Sequence, residues 1–115
     1  MRRGEIHVVN LDPARSGETN KRRPAVIVSN DGANVTAERT GQGVVTVVPM
    51  TSNVSRVYPF QVLLPARSTG LEHDSKAQAE QVRSISVERL GLAIGEVPQE
   101  LMTELDEALR LHLAL

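Results

Sequence analysis

The sequence predicts an α+β fold that is mainly β: a small, strongly bent antiparallel sheet or open barrel with one C-terminal helix. Three observations carry this. Short segments rich in β-branched residues alternate with polar, turn-forming stretches. The last 18 residues, PQELMTELDEALRLHLAL, change to a helical period. The chain of 115 residues, 40% apolar, forms a single domain over 1–115, large enough to bury a core without a metal or a disulfide.

Strands are expected at residues 5–10, 25–29, 44–49, 58–64, 81–85 and 93–97. The first carries Ile6, Val8 and Val9, and the second opens on Pro24 with the run Ala25, Val26, Ile27, Val28. The stretch NDGANVTAERTGQG between the second and third strands admits a short helix over 33–38, and Gly41-Gln42-Gly43 reads as a hairpin turn. VVTVVP follows as the third strand and YPFQVLL as the fourth, the latter read as core with Pro59 at an edge or bulge. Ser86 caps a single helical turn through Leu90, stopped by Gly91. Pro98 suits the first turn of the final helix. There Leu101, Leu105, Ala108, Leu109 and His112 share a face, and Leu111, Leu113 and Leu115 widen the apolar surface. That helix must pack on the sheet, on a partner subunit, or on both.

Composition removes several function classes. The chain has no cysteine, which is compatible with a reducing cytosol. MRRGEIHVVNLDPARSG reaches Glu5, His7 and Asp12 before any long apolar stretch, so neither a signal peptide nor a membrane span is expected, and the location is cytoplasmic. The sequons at Asn34 and Asn53 are then chance matches. His7, His73 and His112 have no ligand spacing, and no zinc motif, P-loop or nucleophile elbow is present. No metal and no cofactor is expected. With only Tyr58 and Phe60 as aromatics, a nucleic acid would be held by charge and hydrogen bonds, not by stacking.

Charge is uneven. The net charge is −1, yet residues 1–24 hold six Lys/Arg against three Asp/Glu, and the remainder holds seven against eleven. Lys21, Arg22 and Arg23 sit directly against an apolar strand, which anchors positive charge to a rigid element and points to a polyanion partner. If consecutive strands pair antiparallel, the loops over 11–23 and 51–57 lie side by side at one rim of the sheet. That rim would gather Glu18, Asn20, Lys21, Arg22, Arg23, Thr51, Ser52, Asn53 and Arg56. Guanidinium groups suit forked bonding to phosphate, and Asn and Ser suit the base edges of an opened single strand. RNA also carries its own nucleophile, the 2′-hydroxyl. A fixed guanidinium and a hydroxyl donor suit the phosphorane charge, and a carboxylate such as Glu18 can take the proton. Each of these residues also has a plain reading: arginines as solvated or salt-bridged edge residues, Thr51 as a loop cap, Glu18 as a surface carboxylate.

In order, the segments RRGEI, DPARSGETNKRRPAVIVSND, VVTVVPMTSN, YPFQVLL and DSKAQAEQVRSI resemble the MazF/PemK toxins of bacterial toxin–antitoxin modules. The specific parts are the Glu-x-x-x-x-Arg-Pro stretch from Glu18 to Pro24, the threonine of PMTSN, and Gln81-Val82-Arg83. The resemblance implies an SH3-like small barrel of the CcdB/PemK kind, a homodimer, and sequence-specific, metal-independent endoribonuclease activity on single-stranded RNA. Products would end in a 2′,3′-cyclic phosphate and a 5′-hydroxyl, and translation and growth would be inhibited. It implies Arg23 as the main catalytic residue, Thr51 as its partner at the scissile phosphate, and Glu18 in a supporting role. RNA-binding residues are expected at Asn20, Lys21, Arg22, Ser52, Asn53, Arg56 and Gln81. The implied partner is a MazE-like antitoxin whose acidic, extended segment orders over the RNA groove. Two departures stand out: Ser16-Gly17-Glu18 where relatives often read Gly-Ser-Glu, and His7 where an aromatic is common.

Two other classes stay open on the residues alone. One is a non-catalytic RNA-binding module on the same rim. The other is a gyrase poison of the CcdB type, whose Trp-Gly-Ile ending is missing from a chain that has no tryptophan and ends HLAL.

Overall fold

The computed structural model describes residues 1–11 and 22–115. Its strands are β1 (Glu5–Asn10), β2 (Arg22–Ile27), β3 (Val44–Thr51), β4 (Gln61–Leu64), β5 (Ser75–Gln78), β6 (Arg83–Ser86) and β7 (Leu90–Glu96). The helices are α1 (Asp31–Thr40), α2 (Ala66–Thr69) and α3 (Gln99–Leu113). The sheet runs β4-β5-β3-β2-β1-β7, with β6 also paired to β3, and every pairing is antiparallel. It is a bent, open sheet: the expected barrel is present as its open form and does not close.

β3 organises the sheet. One edge pairs with β2 through Ala25↔Pro49, Val26↔Val48 and Ile27↔Val47. The other edge pairs first with β6, from Val44 to Val47, and then with β5 at Met50 and Thr51. Pro49, which has no N–H to give, occupies the switch between those two partners. Both faces of the central strands are covered, which explains the unbroken apolar runs in AVIV and VVTVVPM. Val26, Val48 and Met50 join Ile6, Leu64 and the α3 residues Met102, Leu105 and Ala108 in one core. Their strand neighbours Ala25, Ile27, Val45 and Val47 join Val9, Ile85 and Ala37 of α1 in the other.

Several expectations are corrected. α1 begins before residue 33, because the Asn30 side chain accepts from the Ala33 N–H (2.8 Å) and caps it. Gly41 is the left-handed C-cap of α1 (φ +67°), so Gly41-Gln42-Gly43 links a helix to a strand and is no hairpin. β4 starts at Gln61, which leaves Tyr58 42% exposed instead of in the core. β5, absent from the expectations, lies between β4 and β3, so β4 is not β3's neighbour. Ser86 precedes a single 3₁₀ turn, Val87–Arg89, without a side-chain cap. On α3, Met102 is buried while His112 is exposed.

One corner is closed by Arg3. Its backbone N–H donates to Asp31 (2.7 Å), its Nε to the Val28 carbonyl (2.8 Å) and its Nη2 to Asp106 (2.5 Å). One residue thus ties the N-terminus to α1 through its backbone, and to the end of β2 and α3 through its side chain.

Candidate active-site cleft

The site grows from where the β2–β3 ladder stops. β2 pairs with β3 only as far out as Ala25↔Pro49, and Pro24 has no N–H with which to continue. Carrying that register outward two residues sets Arg23 opposite Thr51. Beyond Pro24 and Pro49 the strand ends frame a cleft of about 580 Å³, lined by Arg23, Pro24, Thr51 and Ser52 on this side. The facing wall is the segment from Gly70 to His73, with Ser75 and Ile94. Gly70, left-handed at φ +84°, ends α2 and turns the chain into that wall.

Thr51 and its loop are held in shape by local hydrogen bonds. Thr51 Oγ1 accepts from the Asn53 N–H (3.2 Å), and Asn53 Oδ1 accepts from the Ser55 N–H (3.3 Å) and Oγ (2.8 Å). Thr51 spends only acceptor capacity there, which leaves its hydroxyl proton free to donate. Lys76, opposite Thr51 on β5, donates from Nζ to the Arg56 carbonyl (2.6 Å) and pins the far part of the loop. Arg56 Nη1 donates to the Tyr58 hydroxyl (3.1 Å), and the Tyr58 and Phe60 rings stack at 5.3 Å. Arg23 has no hydrogen-bond or ion-pair partner among the described residues. A guanidinium on a half-buried residue, with no acceptor among the described residues, is a receptor for an anion.

Of the residues singled out from sequence, Arg23, Thr51 and Ser52 meet in the cleft. Arg22, whose side chain alternates away from that of Arg23, lines a separate depression of about 190 Å³ with Asn10 and Arg89. Asn53 and Arg56 belong to the same loop as Ser52 but do not line the cleft, and exposed Gln81 ends a 3₁₀ turn away from it. Glu18, Asn20 and Lys21 lie outside the described residues. Sequence reasoning missed the wall at 70–75; Gly70 was the one local signal, as a helix stop. Glu72 and His73 are the titratable groups on that wall. No group of three or more His, Asp or Glu suited to a metal converges among the described residues.

His7 has a structural explanation. Its Nδ1 lies 3.0 Å from the Gly91 carbonyl and its Nε2 3.0 Å from Glu5 Oε1, so the ring joins β1 to β7 across the irregular stretch of their ladder. The hydrogen bond with His7 holds the Glu5 carboxyl below the usual glutamate range, against a smaller opposing effect of burial.

Residues 2–113 match the family model described as PemK-like, MazF-like toxin of type II toxin-antitoxin system. Endoribonuclease MazF9 of Mycobacterium tuberculosis is 64% identical over 115 residues, covering 100% of this chain and 98% of the relative. Endoribonuclease EndoA of Bacillus subtilis is 30% identical, covering 100% and 96%. Among solved structures, MazE-MazF (Form-II) from Deinococcus radiodurans superposes with a TM-score of 0.79 at 26% identity, covering 100% of this chain and 96% of that one.

Proposed function

The chain belongs to the PemK-like, MazF-like toxins of type II toxin-antitoxin systems, and from that membership we propose that its cleft cuts single-stranded RNA by internal transesterification. The observation that carries the reading is the meeting of Arg23 and Thr51, from two different strands, in one cleft with the guanidinium unpaired among the described residues.

In the proposed step the RNA 2′-oxygen attacks the adjacent phosphorus as its proton passes to a base, with Glu18 as the assigned acceptor. The P–O5′ bond breaks, and the departing 5′-oxygen takes up a proton. A 2′,3′-cyclic phosphate and a 5′-hydroxyl remain. Arg23 faces the extra negative charge on the non-bridging oxygens, where a fixed donor acts without reorganisation. Thr51 adds a neutral hydroxyl donor. Lys21, Asn20, Ser52, Asn53 and Arg56 would guide the strand on either side.

Partners follow from the same charge. A MazE-like antitoxin with an acidic, extended segment competes for the cleft. The protein acts in the cytoplasm; no helix among the described residues is long and apolar enough to cross a membrane. A homodimer would cover exposed Leu92 and Ile94 on β7, the latter on the wall of the cleft. Sedimentation showing only monomer at micromolar concentration would remove that part.

The experiment is cleavage of a long, end-labelled single-stranded RNA in excess EDTA, with product ends analysed. Discrete cuts ending in cyclic phosphate support the reading. Intact RNA bound by a folded protein would replace it with a binding module.

A further inference from the structure

We infer that the depression formed by Asn10, Arg22 and Arg89 is a second phosphate subsite, which holds a backbone phosphate of the RNA strand outside the scissile step. This rests on the reading of the main cleft as an RNA site.

Three observations support it. First, two arginines from separate elements, Arg22 on β2 and Arg89 at the end of the 3₁₀ turn before β7, line one small depression of about 190 Å³. Glu88 lies on its border and offsets part of that charge. Arg89 gives one N–H to the Asn10 carbonyl (3.3 Å), which fixes the direction of its fork. Its other donors, and those of Arg22, have no acceptor among the described residues. Second, Asn10 Oδ1 is buried with no partner among the described residues, an acceptor without a donor at the same place. Third, the depression adjoins the cleft. Val8 lines the depression and pairs directly with Pro24, which lines the cleft. A strand that leaves Arg23 and passes round the outer end of β2 meets Arg22 on the other face, with Arg89 beside it.

The donor set defines the ligand. Two guanidiniums donate bidentately to phosphate oxygens. A bare anion leaves Asn10 Oδ1 unsatisfied and facing negative charge. A ribonucleotide satisfies both, because its phosphate meets the arginines while its 2′-hydroxyl or a base amine donates to Asn10. RNA is thus favoured over fully ionised inorganic phosphate, which supplies no such donor. An acidic peptide supplies one through its backbone N–H groups, and RNA is preferred to it because the depression adjoins the cleft read as an RNA site.

The test uses the full chain and an RNA containing the mapped cleavage site, made uncleavable by one 2′-deoxy substitution at the scissile nucleotide. Affinity is measured against salt for wild type, R22Q, R89Q and R89K, and a thermal melt is taken for each. Loss of one phosphate contact should flatten the slope of log Kd against log salt by about 0.7 in R22Q and in R89Q. RNA binding should weaken roughly tenfold at low salt. R89K should recover part of the slope. A purely structural Arg89 would lower the melting temperature of R89Q and leave the slope untouched. R22Q alters an exposed side chain and carries the test on its own if R89Q fails to fold. Unchanged slopes in R22Q and R89Q, with wild type still cutting its RNA, would overturn the subsite alone. Variants that lose antitoxin affinity but keep the RNA slope would overturn it in favour of an acidic peptide. A wild type that neither binds nor cuts RNA would overturn both this inference and the reading of the cleft.

Discussion

Arg3, in the turn before β1, and Arg23, on β2, do opposite things. Arg3 places its Nε and Nη2 on Val28 and Asp106, and its N–H on Asp31, closing a corner between three elements. Arg23 stands just beyond the end of the β2–β3 ladder, half-buried, with no such partner among the described residues. A guanidinium satisfied inside the fold contributes to stability and has little left for a ligand. One left unsatisfied on a rigid strand contributes little to stability and is organised for an incoming anion. The difference arises from chain context: Arg3 has two acidic residues and a carbonyl brought to it, whereas Arg23 is followed by Pro24 and faces the end of β3.

The comparison is sharpened most by Arg23→Ala. It should lower the rate of RNA cleavage by about 10³ while the melting temperature stays within a degree or two. A variant that melts much earlier would show that Arg23 is a second Arg3, and the comparison would break. Next in size is Leu105→Ala, in the core beneath α3 where the side chain is wholly buried. Urea unfolding should register a loss of about 3 kcal/mol, with the specific activity of the folded fraction retained.

Arg3→Met comes third, with an expected loss of about 1–2 kcal/mol, since both partners are partly open to solvent. Its cleavage rate per folded molecule should match wild type; a catalytic defect would mean that the corner is wired to the cleft. Smallest is the acid limb set by Glu5. Its carboxyl titrates lower in the folded chain than in the unfolded one. The stabilisation is therefore present above the unfolded value, and it is lost as pH falls through the folded value. The stability gap between wild type and Glu5→Gln, under about 1 kcal/mol, should be constant near neutrality and close as pH falls below the ordinary glutamate range. A gap that widens with acid would reverse the sign and remove the His7–Glu5 account.

Much of this is legible in the sequence. Residues 5–10 read as a strand because Ile6, Val8 and Val9 stand between turn signals, and β1 has those bounds. Arg23 and Thr51 were placed together by antiparallel pairing alone, and β2 and β3 do pair in the register that brings them opposite. SKAQ was missed as a strand because nothing in it favours one. Its pairing on both sides, with β3 and β4, makes it β5, and Lys76 can be buried there because the Arg56 carbonyl takes its ammonium. The wall from Gly70 to His73 faces Arg23 only through that unforeseen strand. The depression at Arg22 was equally hidden, since Arg89 reaches it across β1 from far along the chain. Local propensity reports on local structure; contacts that depend on another strand's position do not appear in it.

The central claim is that Arg23 acts on the transition state and not merely on the bound strand. The direct measurement is the single-turnover cleavage rate at saturating RNA for wild type and Arg23→Ala, alongside the affinity of each for the uncleavable RNA. The account predicts a rate about 10³ lower with affinity changed by no more than roughly tenfold. Equal rates at saturation, with the whole deficit in affinity, would contradict it and make Arg23 a binding residue only.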